Sequence, residues 1–131
     1  MNRLLTGLVV LAMISTCFLV LRHVLPGNTP WGITVREWTK VIIDGNLAPP
    51  LERFRAHTGR YPTTKEGLQT LLVAPAGLVG RWRGPYLESL PRDSWNRRYW
   101  YRCPGIHNPK SYDLWSLGPD GVLSRDDIGN W

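Results

Sequence analysis

Asp120, Asp126 and Asp127 place three carboxylates in one short stretch around Gly121, near the carboxyl end of the chain. Carboxylates are hard oxygen donors, and calcium takes about six to eight such oxygens, so backbone carbonyls or water would have to complete its shell. The spacing is not that of an EF-hand, whose loop sets oxygen residues at alternate positions ahead of its glycine. Asp-Gly is also an ordinary turn dipeptide, and aspartates are commonly solvated. Residue types alone therefore leave a cation site and a plain exposed turn both open.

A second group lies between Arg81 and Arg102, where Arg81, Arg83, Arg92, Arg97, Arg98 and Arg102 face only Glu88 and Asp93 in sequence. Trp82, Trp95, Tyr99, Trp100 and Tyr101 are interleaved with them. Basic residues among aromatics can hold a single strand by phosphate contact and base stacking, with salt-sensitive affinity. On that reading Arg81, Arg83, Arg97, Arg98, Trp100 and Arg102 form a surface for nucleic acid or another acidic partner. The preferred reading is structural: strand alternation sends aromatics and arginines to opposite faces, and Trp82, Trp95 and Tyr101 pack a core.

Nucleophilic catalysis finds no support. His57 and His107 can be written beside Ser111 or Ser116 and Asp113, but their spacing matches no known arrangement. Nor is there a Gly-x-Ser-x-Gly elbow, a His-Glu-x-x-His pair or a phosphate-cradling glycine loop. The expected protein is not an enzyme.

The elements that must position these residues emerge from the apolar pattern. Leu4 to Leu21 contains no charge and no proline, is flanked by Arg3 and Arg22, and is long enough to span a bilayer. No small-residue cleavage site follows it, so a retained single-pass anchor over residues 1–25 is expected. Ile14-Ser15-Thr16-Cys17 resembles a lipoprotein signal only distantly, because the apolar run continues beyond Cys17. Cys103 is the remaining cysteine, so the rest of the chain can form no internal disulfide.

Pro26 to Pro30 marks a juncture, after which Val35, Trp38, Val41 and Ile42 recur at helical spacing until Asp44, Gly45 and Asn46 interrupt them. Residues 26–46 thus read as juncture and spine helix, and residues 47–131 as one globular head. A second helix is expected near Pro49 and Pro50, with Leu47, Leu51 and Phe54 on one face. It should end near Thr58, where Gly59 can adopt a left-handed cap and Pro62 blocks continuation. Thr63 and Glu66 have capping-box spacing ahead of a short helix carrying Leu68, Leu71 and Leu72. Beyond Gly80, Tyr86 to Leu87, Trp95 to Arg102 and Tyr112 to Leu117 predict two or three short antiparallel strands. Helices followed by strands indicate an α+β fold. The net charge of +6 admits acidic partners or anionic lipid without choosing between them.

Taken in order, the short motifs from Leu47 onward resemble the head of the major pseudopilin of type II secretion. Gly59-Arg60-Tyr61-Pro62-Thr63-Thr64 with Glu66-Gly67-Leu68 comes first, then Trp82-Arg83-Gly84-Pro85-Tyr86-Leu87, Leu90-Pro91 and Asp93. Tyr99, Tyr101-Arg102, Tyr112-Asp113-Leu114, Ser116-Leu117-Gly118, Asp120-Gly121 and Asp127-Ile128-Gly129-Asn130-Trp131 complete the series. The resemblance implies a pilin-like head with a helical spine, a small antiparallel sheet and a carboxy-terminal loop holding one calcium ion. It implies Asp120 and Asp127 as side-chain ligands, Leu117 as a carbonyl ligand and Asp126 as a third carboxylate. It also implies a subunit of a secretion pseudopilus or related pilus-like apparatus, anchored in the bacterial inner membrane with its head in the periplasm. Its partners would be other pseudopilin-like subunits, copies of itself and inner-membrane secretion components.

The amino terminus departs from that family. Gly7 is followed by Leu8, Val9, Val10 and Leu11, and no acidic residue precedes Glu37, so the membrane glutamate of processed pseudopilins is missing. Prepilin-type cleavage and methylation are not expected. The departure implies a divergent paralogue that docks without polymerising, or a start codon set at the wrong place.

Overall fold

The computed structural model describes residues 33–131. The expected anchor over residues 1–25, the start of the juncture and the question of cleavage lie outside the described residues. The chain divides into two units, Met1–Val35 and Arg36–Trp131. Among the described residues no helix is long and apolar enough to cross a membrane.

Helix α1, Val35–Val41, runs into a π-helical segment, Ile42–Leu47, and then into helix α2, Ala48–Thr58. The interruption expected at Asp44, Gly45 and Asn46 is therefore a widened turn rather than a break. Pro49 and Pro50 bring no amide hydrogens to the carbonyls one turn back, and the Ala48 N–H reaches the Ile43 carbonyl instead. Asp44, Gly45 and Asn46 face solvent across this turn, while Ile43 and Leu47 remain buried. Helix α2 ends at Thr58 as the sequence predicts: Gly59 takes φ +86° and its N–H bonds the Arg55 carbonyl at 2.8 Å.

Ile43, Leu47, Leu51 and Phe54 recur along the inner face and are all fully buried. They pack with Leu68, Leu71, Leu78, Tyr86, Tyr101, Tyr112, Leu114 and Ile128 in a single core. The apolar residues of the helical stretch thus divide between two faces. Leu51 and Phe54 seat the core, whereas Trp38 and Val41 stand 47% and 49% exposed on the outer face.

The predicted capping box forms: the Thr63 N–H donates to Glu66 Oε2 at 2.8 Å and the Glu66 N–H to Thr63 Oγ1 at 3.2 Å. The cap leads only into a 3-10 turn, Leu68–Leu71, with a second turn of this kind at Ala76–Leu78. Glu66 also makes a two-pronged ion pair with Arg60 at 2.7 and 2.8 Å. That bond, chiefly, draws its carboxyl down to about 2.

Strands β1 (Trp100–Arg102), β2 (Asp113–Ser116) and β3 (Ile128–Gly129) form one antiparallel sheet in that order. Tyr86–Leu87 is not a strand, contrary to expectation. Its backbone is taken up by the Leu71 carbonyl, which accepts from both N–H groups. Conversely β3 is a strand that the apolar pattern does not assign, since two residues are too few for alternation to register.

Candidate functional site

The loop from Leu117 to Asp127 leaves β2 and returns as β3. Gly118 opens it at φ +64°, where a β-carbon would lie 2.8 Å from both the Asp126 carbonyl oxygen and its carboxylate. Asp120, Asp126 and Asp127 are joined through one residue, Ser124. Its hydroxyl donates to Asp120 Oδ2 at 3.2 Å and makes a short bond to Asp126 Oδ1, while its N–H donates to Asp127 Oδ1 at 3.2 Å. As the side chains stand, no three His, Cys, Asp or Glu residues among those described are grouped as a metal-holding cluster.

The electrostatics of the loop are asymmetric. Burial first, then the negative charges of Asp126 and Asp120, push the Asp127 carboxyl above its ordinary range, against the opposing bond from Ser124. The Ser124 hydroxyl, foremost, holds Asp126 below its ordinary range. Arg36 Nη1 and Nη2 donate to the carbonyl oxygens of Asp126 and Asp127 at 3.0 and 3.3 Å, and Arg97 Nη2 donates to that of Pro119 at 2.8 Å. Two cations thus brace the loop through its backbone and leave the carboxylates to Ser124 and, for Asp120, the Val122 N–H at 3.0 Å. Leu117, the fourth expected ligand, immediately follows β2.

Two other aspartates, which sequence reasoning did not single out as sites, are deeply engaged. Buried Asp93 accepts from the backbone N–H of Trp95 and Arg97 at 3.0 and 2.7 Å and from the Ser116 hydroxyl at 2.7 Å. Asp113 accepts from the N–H groups of Ile106, His107 and Asn108 at 2.6, 2.9 and 3.0 Å. Burial raises the Asp113 carboxyl, but these donors outweigh it and hold it below the usual range. Both act as scaffolds for tight turns, a use visible in sequence only as aspartates among turn-formers.

His107 does meet Asp113, through Nδ1 at 3.2 Å. Ser116, however, gives its hydroxyl to Asp93, and His57 bonds the Tyr86 hydroxyl at 3.0 Å. Ser116 and His57 are therefore committed away from the His107–Asp113 pair.

The basic-aromatic stretch is split by the fold. Arg81 reaches the Thr58 carbonyl at 3.4 Å, and the Arg83 N–H donates to the Tyr86 hydroxyl at 3.0 Å, by the end of helix α2. Arg97 turns to the carboxylate loop. Trp100 and Arg102 of β1 and Arg98 just before it are exposed together, with Arg98 4.2 Å over the Trp100 ring and Trp100 stacked on Trp115 at 6.3 Å. The expected separation of aromatics from arginines holds for buried Tyr101, and Trp82 and Trp95 do pack against the core. It fails for Trp100, because residues 98, 100 and 102 have the same parity along the strand.

A helix laid against a three-stranded antiparallel sheet, closed by an acidic loop between its last two strands, defines a pilin-like head. The family model of type II secretion system protein G matches residues 39–131, and the chain belongs to that family. The type II secretion system core protein G of Klebsiella pneumoniae is 44% identical over 89 residues, covering 65% of this chain and 62% of that protein. Its counterpart in Pseudomonas aeruginosa is 37% identical over 92 residues, covering 65% and 63%. The matched region thus spans under two thirds of those relatives. The crystal structure of the major pseudopilin from the type 2 secretion system of enterohaemorrhagic Escherichia coli superposes with a TM-score of 0.62 at 34% identity, covering 74% of this chain and 86% of that one.

Proposed function

We propose that this protein is a structural subunit of a type II secretion pseudopilus, acting by assembly rather than catalysis. The observation that carries the reading is the collinear match of residues 39–131 to the protein G family together with the pseudopilin-like head. The outer face of helix α1 supports it, because Trp38 and Val41 are large apolar side chains left outside the core of their own subunit. In this reading the partners are other pseudopilin-like subunits, further copies of this chain and inner-membrane secretion components. The amino-terminal apolar stretch anchors the chain in the inner membrane and the head stands in the periplasm.

A calcium ion, held by the carboxylates of Asp120, Asp126 and Asp127 and the carbonyl of Leu117, belongs to the same reading. What supports it is the donor chemistry: three carboxylates share one serine, and burial, with added repulsion from Asp126 and Asp120, raises Asp127. A divalent cation relieves that repulsion and fixes a loop with little apolar packing of its own, where Val122 and Leu123 are 59% and 78% exposed.

The test is complementation. Deleting the gene should strip the medium of the proteins that the type II system exports, and the wild-type gene should restore them. Export that continues unchanged in the deletion strain would refute the reading.

A further inference from the structure

The outer edge of β1 is closed at both ends and open in the middle. At one end the Asp93 N–H takes the Arg97 carbonyl at 2.8 Å, and Arg92 bridges Arg98. At the other the Thr64 hydroxyl bonds both the N–H and the carbonyl of Cys103, each at 3.0 Å. Between them lies Tyr101, whose backbone direction is set by the sheet. Leu114, directly across from Tyr101, turns its own N–H and C=O toward Asn130 at 3.0 and 3.1 Å. Tyr101 and Leu114 are therefore a non-hydrogen-bonded pair, and the N–H and C=O of Tyr101 point away from β2 to the free edge.

A groove of about 700 Å³ runs along this edge, and Arg92, Arg98 and Arg102 are on its wall. Neither Arg92 nor Arg102 has a salt-bridge partner among the described residues. The one carboxylate on the wall, Glu66, has both oxygens engaged by Arg60.

We propose that this groove receives an extended acidic polypeptide segment, which adds to the sheet beside β1. Its backbone pairs with the N–H and C=O of Tyr101, and its carboxylates meet Arg92, Arg98 and Arg102. An open strand edge presents a donor and an acceptor at the spacing of another polypeptide, and side chains along the groove select the sequence that enters. Carboxylates are the complement of an arginine wall, which binds them in two-pronged fashion. A nucleic acid strand fits less well. The Trp100 ring is covered by Arg98 and packed against Trp115, so it offers no open platform for a base, and phosphates answer only the arginines.

The experiment uses the full chain, isotopically labelled and held in a mild non-ionic detergent, titrated with a blocked hexapeptide of alternating glutamate and valine. The expected result is a shift of the Tyr101 amide resonance and hydrogen exchange there slowed by about tenfold. The lysine-valine peptide should do neither. The double variant R98E/R102E should weaken binding by about tenfold or more while keeping the fold, since both side chains are exposed. Absence of binding, or binding that leaves the Tyr101 amide unchanged, would overturn strand addition. Binding of oligothymidylate at comparable affinity would overturn it in favour of a nucleic-acid surface.

Discussion

Arg36, in the first turn of helix α1, donates from both guanidinium nitrogens to consecutive carbonyl oxygens, those of Asp126 at 3.0 Å and Asp127 at 3.3 Å. One side chain thus ties the start of the helix to the end of the acidic loop, across 90 residues of sequence. Arg36→Ala should cost about 1 kcal/mol, the ordinary worth of such exposed charged bonds, and speed amide exchange in residues 118–127. Thermal melting with exchange measured by mass spectrometry checks both, and an unchanged loop would show the bonds to be incidental.

The acidic loop makes a signed prediction about calcium. Because burial and the neighbouring aspartates raise Asp127, its ionised form is penalised in the folded state at neutral pH. That penalty fades as pH falls through its raised value. Asp127→Asn should therefore melt slightly higher than wild type without calcium, by about 1–3 °C. Wild type should gain stability with calcium and lose it with chelator, whereas the variant should lose most of that gain. Equal calcium response in the two proteins would remove Asp127 from the site.

Glu66 predicts an acid limb of the stability curve. Its carboxyl falls from 4.5 to about 2 on folding, principally through the Arg60 bond, so the contribution is complete above pH 4.5 and is lost as pH drops toward 2. With the pair partly solvated, it amounts to about 1 kcal/mol. Glu66→Gln should flatten that limb in denaturant titrations from pH 5 to 2. A wild-type slope persisting in the variant would assign the limb to other carboxylates.

The inner and outer faces of the helix should separate cleanly. Phe54→Ala removes a fully buried ring and should cost about 3–5 kcal/mol. Trp38→Ala should stay within about 0.5 kcal/mol, because Trp38 is half exposed. Denaturant midpoints measure both, and a large loss at Trp38 would mean that it packs within its own subunit.

Where the sequence was informative, a local rule and the core agreed. Gly59 as the helix stop, the reciprocal Thr63 and Glu66 cap, and the inward face of Leu47, Leu51 and Phe54 all needed only neighbouring residues to be read. The π-helical join was hidden because Pro49 and Pro50 suggest a helix start equally well whether a helix precedes them or not. Asp93 and Asp113 were missed as organising groups because their partners are backbone amides, which carry no residue-type signal. The exposed row of Arg98, Trp100 and Arg102 was written in their shared parity, which the binding-surface reading grouped together and the preferred reading, sending aromatics and arginines to opposite faces, did not. Of the expected ligands, Asp120, Asp126 and Asp127 lie together around Ser124, a residue that the acidic pattern gave no reason to notice.

Assembly through the outer face of helix α1 is best checked by photocrosslinking in living cells, with a photoreactive residue at Trp38 or Val41 of the full chain, coexpressed with its own secretion apparatus. A pseudopilus subunit should yield crosslinks to pseudopilin-like subunits, this chain included, that vanish when the same residue is moved to the buried position of Phe54 or when the apparatus is absent. A chain that stays uncrosslinked to any secretion subunit while present at normal level would be incompatible with that role.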